Sequence, residues 1–452
     1  MTPIAEFPFF PLSFDKDGKL TDATQLTALQ QHVTTDGSTD VIFISHGFRN
    51  NEADATNLYT EFLTNLRAHL KKPEFKSLSD RKFAVGAVLW PSKSFKEAAD
   101  SVDGGHAQSI GDDDSGRAEA EAALKDMRDT LANADQKAKL DKAIAMLDTL
   151  EDSTDNQDEF VSLVLSLTDG IELDTSEGLD KLRSKEGSAV LQNLKTPVIL
   201  PTTKSDDDGD SGGAASFVPA VPVDGEGSTQ GFGSFFGKIF GAVGTLANVT
   251  TWYVMKNRSG VVGAAGVADA VRSIKTLPNS PRVHLVGHSL GGRLMASCSK
   301  ALASPLLQPD SLTLLEAAFS HYGFSAKGPD NPEGFFRAVI DKKVIKGPLV
   351  ATYSAKDIVV GLTYSVASRL AGDNTKAVGD ANDQYGGIGR NGAQKCDVGV
   401  SDTLHAADDP YTDIPIGKVA SYDGSADLIK SHSDITNPAV TYLFASALLK
   451  TG

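Results

Sequence analysis

From Val283 to Cys298 the chain changes character twice in quick succession. An apolar run, Val283-His284-Leu285-Val286, enters Gly287-His288-Ser289-Leu290-Gly291-Gly292 and leaves as an amphipathic pattern, Arg293, Leu294, Met295, Ala296 and Cys298. The order predicts a strand, a sharp turn and a helix. Small residues flank the turn because strand end and helix backbone converge there. A serine at such a turn is strained, with its hydroxyl raised clear of the sheet and beside the amides of a helix N-terminus. A second Gly-x-Ser-x-Gly, at Gly209-Asp210-Ser211-Gly212-Gly213, follows Asp206-Asp207-Asp208 with no strand before it and no helix after it. It reads as a solvated loop.

The remaining pattern alternates strands and helices. Residues 1–20 are short apolar pieces broken by Pro8, Pro11 and Asp17-Gly18, a strand or hairpin at a sheet edge. Thr21 or Asp22 can cap a helix carrying Leu26, Leu29 and Val33. The runs Asp40–Ser45 and Phe83–Trp90 suit strands buried on both faces, with a helix through Leu58, Phe62 and Leu66 between them. Further strands are expected at Ser311–Leu315, Pro348–Tyr353 and Ile416–Tyr422. Helices are expected from Val261 to Leu277 and from Pro438 through Leu449. This rhythm implies an α/β fold with a parallel sheet.

The rhythm stops between residues 92 and 245, a span far longer than a crossover needs. Its acidic first part has Leu124, Met127, Leu131, Leu140, Ile144 and Leu147 at helix spacing, and residues 203–228 are rich in Asp, Gly, Ser and Pro. The expected organisation is therefore a core from 1–91 and 246–452, split by a largely helical cap at 92–245. The apolar stretch 232–255, with Phe235, Phe236, Trp252 and Tyr253, is expected to pack near the site as a substrate pocket, or to touch lipid as an interfacial lid.

A net charge of −16 argues against nucleic acid as a partner, because phosphate binding needs a basic surface. Met1–Glu6 lacks the basic and apolar parts of a secretory signal, and no run reaches transmembrane length. A cytoplasmic protein is the expectation, with export by a route that needs no signal as the alternative. Cys298 and Cys396 stand in no metal or redox spacing. Asp206-Asp207-Asp208-Gly209-Asp210 lacks the ligand spacing of a calcium loop, so neither metal nor cofactor is expected.

Ser289 needs a base, since a free hydroxyl is a poor nucleophile at neutral pH. The order to look for after such a turn is serine, acid, histidine. Asp357, on the loop after Tyr353, fits the acid, with Glu316 after Leu315 as the alternative. His432 lies between the last strand and the last helix and fits the base; His405 is the one other histidine after Asp357. Asp434 suits a capping or orienting role, and His288 a packed one behind the serine. His46-Gly47-Phe48 follows an early strand. There the Phe48 amide can join that of Leu290 as an oxyanion hole, while His46 fixes the loop beside the pocket.

Gly287-His288-Ser289-Leu290-Gly291, His46-Gly47-Phe48, Asp357 and His432, in this order, resemble the α/β-hydrolase superfamily. In detail the chain is similar to large bacterial members with a Trp252–Arg258 segment ahead of the turn. The resemblance implies a mostly parallel eight-stranded sheet with helices on both faces and an inserted cap. It also implies a serine esterase or lipase acting on a small-molecule, lipid or polyester ester through an acyl-enzyme. The alternatives are a peptidase or amidase using the same residues, and a binding module on a hydrolase fold.

Overall fold

Apolar β-branched runs that are buried along their whole length can only pair inside a sheet covered on both sides. Asp40–Ser45 and Phe83–Leu89 are such runs, buried at every position. The computed structural model describes residues 3–92, 113–195, 239–328, 333–371 and 384–452. Among them one sheet holds eight strands: β1 Phe9–Ser13, β2 Asp40–Ser45, β3 Phe83–Leu89, β4 Arg282–His288, β5 Ser311–Leu315, β6 Leu349–Tyr353, β7 Gly399–Thr403 and β8 Val419–Asp423. Their order is β1-β3-β2-β4-β5-β6-β8-β7, and every pairing is parallel. The C-terminal ends of all eight strands therefore share one edge.

On one face Ile42, Ile44, Val85 and Val286 pack with Phe62 and Leu66 of helix Glu52–Leu70 and with Leu443 and Phe444 of helix Pro438–Leu449. Val41 and Phe43 alternate to the other side. Helix Leu290–Ala301 packs on β4 and β5 outside that first cluster and is buried almost throughout.

Some expectations shift. The N-terminal segment is an edge strand, β1, parallel to β3, and Phe14 and Leu20 make only an isolated bridge. The third strand ends at Leu89, and the last begins at Val419 rather than Ile416. The helix expected from Val261 starts much earlier. Ile239–Val261 continues through a π-helical turn, Val262–Val267, into Ala268–Lys275. β7 lies in a Gly-, Asp- and Asn-rich stretch that gave no strand signal. It is an edge strand with mostly exposed side chains, so it lacks the apolar alternation of a buried one.

The chain divides into two compact units. One comprises Met1–Ser92, Arg258–Gly361 and Asp380–Gly452; the other comprises Lys93–Asn257 and Leu362–Gly379. The second unit thus extends past the expected end at residue 245 and takes in a segment beyond β6. Its described part is helical, with Leu124, Met127, Leu140, Phe160, Val164 and Leu191 buried. Lys256 and Glu177 form a buried ion pair within it. The Tyr364 hydroxyl donates to Glu177 Oε2 at 2.7 Å, and Lys256 lies 4.1 Å from the Trp252 ring centroid.

At the N-terminal edge of the sheet, Asp40 at the start of β2 is fully buried. Arg81 Nε donates to its Oδ2 at 3.0 Å and His284 Nε2 lies 2.9 Å from its Oδ1. His284 Nδ1 is 2.9 Å from Ser311 Oγ, and Arg81 Nη1 donates to Leu448 O at 2.9 Å. The cluster ties β2, β4 and β5 to the end of the last helix. Burial alone would raise the Asp40 carboxyl; the hydrogen bonds from His284 and Arg81 outweigh it and hold the carboxyl well below its usual range. Because the folded value is depressed, this contribution is present above pH about 4 and is lost as the pH falls below it. Asp40→Ala should cost about 3–5 kcal/mol in urea unfolding at neutral pH, since it leaves buried partners uncompensated. A loss under about 1 kcal/mol would place the cluster among ordinary surface pairs.

Candidate active site

Gly287 near the end of β4 and Gly291 in the first turn of the following helix set the geometry of the turn between them. A Cβ on Gly287 would sit 2.2 Å from Gly291 O, and one on Gly291 would sit 2.4 Å from His46 O and 2.5 Å from Ser45 O. No side chain fits there, so strand β4, its helix and the end of β2 meet backbone to backbone. Ser289 between them has φ 56° and ψ −125°, a left-handed conformation that costs a non-glycine residue about 1–3 kcal/mol. Its neighbours hold it in place. Ser289 N donates to Leu315 O at 3.0 Å, and its own carbonyl accepts from Ala318 N at 3.0 Å and Gly292 N at 3.0 Å.

The loop after β2 presses on this turn. A Cβ on Gly47 would lie 2.7 Å from Ser289 Cβ and 3.2 Å from Ser289 Oγ. His46 fixes that loop from behind. Its Nδ1–H donates to Gly47 O at 2.9 Å, its Nε2 accepts from Trp90 N at 3.3 Å, and Trp90 Nε1 donates to His46 O at 3.0 Å. The His46 and Trp90 rings stack at 5.7 Å. His46 N donates to the Tyr59 hydroxyl, which donates on to Val88 O at 2.6 Å. With both ring nitrogens occupied and the residue 1% exposed, His46 is a clamp rather than a pocket wall. Burial lowers its ring to about 4.

Asp357 and His432 come together. His432 Nδ1–H donates to Asp357 Oδ2 at 2.8 Å, while Asp357 Oδ1 accepts from Val360 N at 2.9 Å. The pairing leaves His432 Nε2 as the ring's basic nitrogen. The acid and histidine loops are joined again by Ser354 Oγ, which donates to Ile429 O at 2.9 Å. His288 links this pair to the turn. Its Nε2–H donates to His432 O at 2.9 Å, and the two rings lie 4.7 Å apart. A carbonyl only accepts, so the His288 proton is on Nε2, and burial, then the nearby His432, lower its ring well below the usual value. Among the described residues Ser289 Oγ makes no hydrogen bond to His432. Ser289 is 5% exposed, His432 8% and Asp357 0%.

The other candidates have surroundings of their own. Glu316, directly after β5, is fully buried and beside Asp357 but does not bond His432. His405 stacks on Tyr411 in its own loop. Asp434 accepts from Lys430 N at 2.9 Å and Asn437 Nδ2 at 3.0 Å, an orienting role. Leu290 opens its helix, where the first amides have no intrahelical acceptor, and Phe48 is half-buried after Gly47. Trp252 and Tyr253 are buried inside the second unit, Tyr253 donating to Glu177 O at 2.7 Å. Phe235, Phe236 and Asp206–Asp210 lie outside the described residues. No described helix is long and apolar enough to cross a membrane, and no described group of three or more His, Cys, Asp or Glu could hold a metal ion.

Compared with known proteins, the chain matches no family model, no curated protein and no solved structure.

Two tests follow from the clamp. Gly47→Ala forces its Cβ against Ser289 and should cost about 1–3 kcal/mol of stability by overpacking; an unchanged urea midpoint would mean the loop does not bear on the turn. An unfolded histidine takes a proton below about pH 6.5, and folded His46 does not until about 4. The fold therefore loses stability as the pH falls through that window. NMR at about pH 5 should find the His46 ring neutral with its proton on Nδ1; a ring charged at that pH would dissolve the clamp.

Proposed function

We propose that this chain is a serine hydrolase of carboxylic esters, built on a sheet related to that of the α/β-hydrolases. The observation that carries the reading is the Asp357–His432 pair, bonded through His288 to the turn that holds Ser289 at φ 56°. A strained serine, a basic imidazole nitrogen and a buried carboxylate orienting it are the parts that acyl transfer requires. The relation to the superfamily rests on the turn and on the chain order of these residues. The strand order β1-β3-β2-β4-β5-β6-β8-β7 is not that superfamily's usual one.

In this reading His432 Nε2 takes the Ser289 proton as Oγ attacks the ester carbonyl. The proton then passes to the departing alcohol, leaving an acyl group on Ser289. Water, deprotonated by His432, releases the acid. Asp357 holds the imidazole with its proton on Nδ1 and stabilises the imidazolium. The Phe48 and Leu290 amides receive the oxyanion, each worth about 3 kcal/mol in the transition state. Neutral His288 adds no charge beside His432 and anchors the histidine's backbone. That Ser289 Oγ makes no hydrogen bond to His432 agrees with sites whose catalytic hydrogen bonds form only when substrate is bound.

Ser289→Ala should lower hydrolysis of short nitrophenyl esters by about 10³-fold or more, with circular dichroism unchanged. A fluorophosphonate probe should label the wild type at Ser289 and leave that variant unlabelled. Turnover of peptides in place of esters would assign the same three residues to an amidase. A folded wild type that the probe does not label would overturn the catalytic reading in favour of a binding role.

A further inference from the structure

The catalytic edge holds a second buried carboxyl that the mechanism above does not use. Glu316 follows β5 directly, and its neighbour Leu315 pairs with Thr352 of β6, the strand that leads to Asp357. Its backbone has φ 43°, and Gly389 packs so closely that a Cβ there would sit 2.4 Å from Glu316 C. The Glu316 carboxyl and that of Asp357 are both fully buried and lie side by side, close enough for one hydrogen bond between them.

Two carboxylates cannot hydrogen-bond to each other, because each only accepts. One of the two must carry a proton, and their donors decide which. Asp357 receives His432 Nδ1–H and Val360 N–H, both of which favour its anion. As a carboxylate, Glu316 would leave both oxygens buried with no well-formed hydrogen bond. We propose, resting on the hydrolase reading, that Glu316 is a positioning residue that keeps its proton at neutral pH and donates it to Asp357. The Asp357 anion then has a third donor in a dry site, which fixes its orientation toward His432 and moderates its pull on the imidazole proton.

The groups facing Glu316 support this state. Burial and then the Asp357 charge push its carboxyl well above the usual carboxylate range; the Thr352 hydroxyl works the other way, and the hydrogen bond with Asp357 and the charge of Asp423 at the end of β8 add to the rise. Arg390, on the short helix Ile388–Asn391, donates to Asp357 O at 3.0 Å, and His432 lies beyond Asp357.

The first test needs no substrate. Wild-type protein labelled with ¹³C at its glutamate carboxyl carbons is titrated by NMR, and Glu316→Gln identifies the Glu316 signal by its loss. One glutamate signal should keep the shift of a carboxylic acid at about pH 7. If every glutamate has the carboxylate shift there, the proposal is overturned, whether or not Glu316→Gln folds. The second test is the pH profile of kcat/KM for a nitrophenyl ester. Glu316→Gln preserves a neutral donor, so it should stay within about threefold of wild type with the acid limb unmoved. Were Glu316 an anion, Gln would remove a charge that favours the imidazolium, and the limb would fall by about one unit. Glu316→Leu removes the donor and should lower kcat about tenfold with KM little changed. A wild type that retains the acid signal but hydrolyses no ester would refute the hydrolase reading and leave the shared proton in place.

Discussion

The meeting of three backbones at Gly47, Gly287 and Gly291 governs this fold. β4 must end, turn and become a helix within the space left by the end of β2. No residue with a Cβ fits at Gly287 or Gly291. The turn residue has to take up a left-handed conformation as a result, and it is a serine. Its strain is held by bonds to Leu315, Ala318 and Gly292, so the neighbouring strand β5 is part of the same constraint. A turn built this way is held by its neighbours on every side, and preorganised dipoles of this kind are what the proposed acyl transfer would need.

The uniformly parallel sheet explains how residues so distant in sequence meet. Ser289 follows β4, Glu316 follows β5, Asp357 follows β6 and His432 follows β8, and all these strand ends lie at one edge. The opposite edge carries the other buried charge, Asp40 with Arg81 and His284. That cluster joins the starts of β2 and β4 to the end of the last helix. The ionic cluster around Asp40 is therefore kept away from the Asp357–His432 pair, whose charges would change in the proposed reaction. The placement lets a neutral His46 and a neutral His288 surround the site without competing for its proton.

Most of the core was readable because buried parallel strands announce themselves. Asp40–Ser45 and Ser311–Leu315 have the bounds their apolar composition predicts, and Pro438 opens the last helix as a first-turn proline should. The serine turn and the Asp357–His432 pair followed from chain order combined with strand ends. What composition could not carry was anything set by an exposed or tertiary context. β7 is exposed at an edge and looks like loop. The helix through Ile239–Lys275 runs past the expected start at Val261 by way of a π-helical turn, Val262–Val267, which no local periodicity reveals. His46 is placed by Trp90 and Tyr59, partners that no local spacing reveals.

The choice between two acids shows the same limit most sharply. Glu316 and Asp357 both follow strands at the catalytic edge, and both fall between the serine and the histidine in the chain. Order alone admits either. Their environments separate them. Asp357 sits where a helix amide and an imidazole N–H converge on its carboxyl. Glu316 sits one strand over, where neither oxygen makes a well-formed hydrogen bond, so its charge would be poorly supported. Two carboxyls forced together in a dry site divide a proton according to the donors around them, and that division sets their roles. In the proposed mechanism the base is oriented by the acid whose charge is supported, and the other acid holds its neighbour in place.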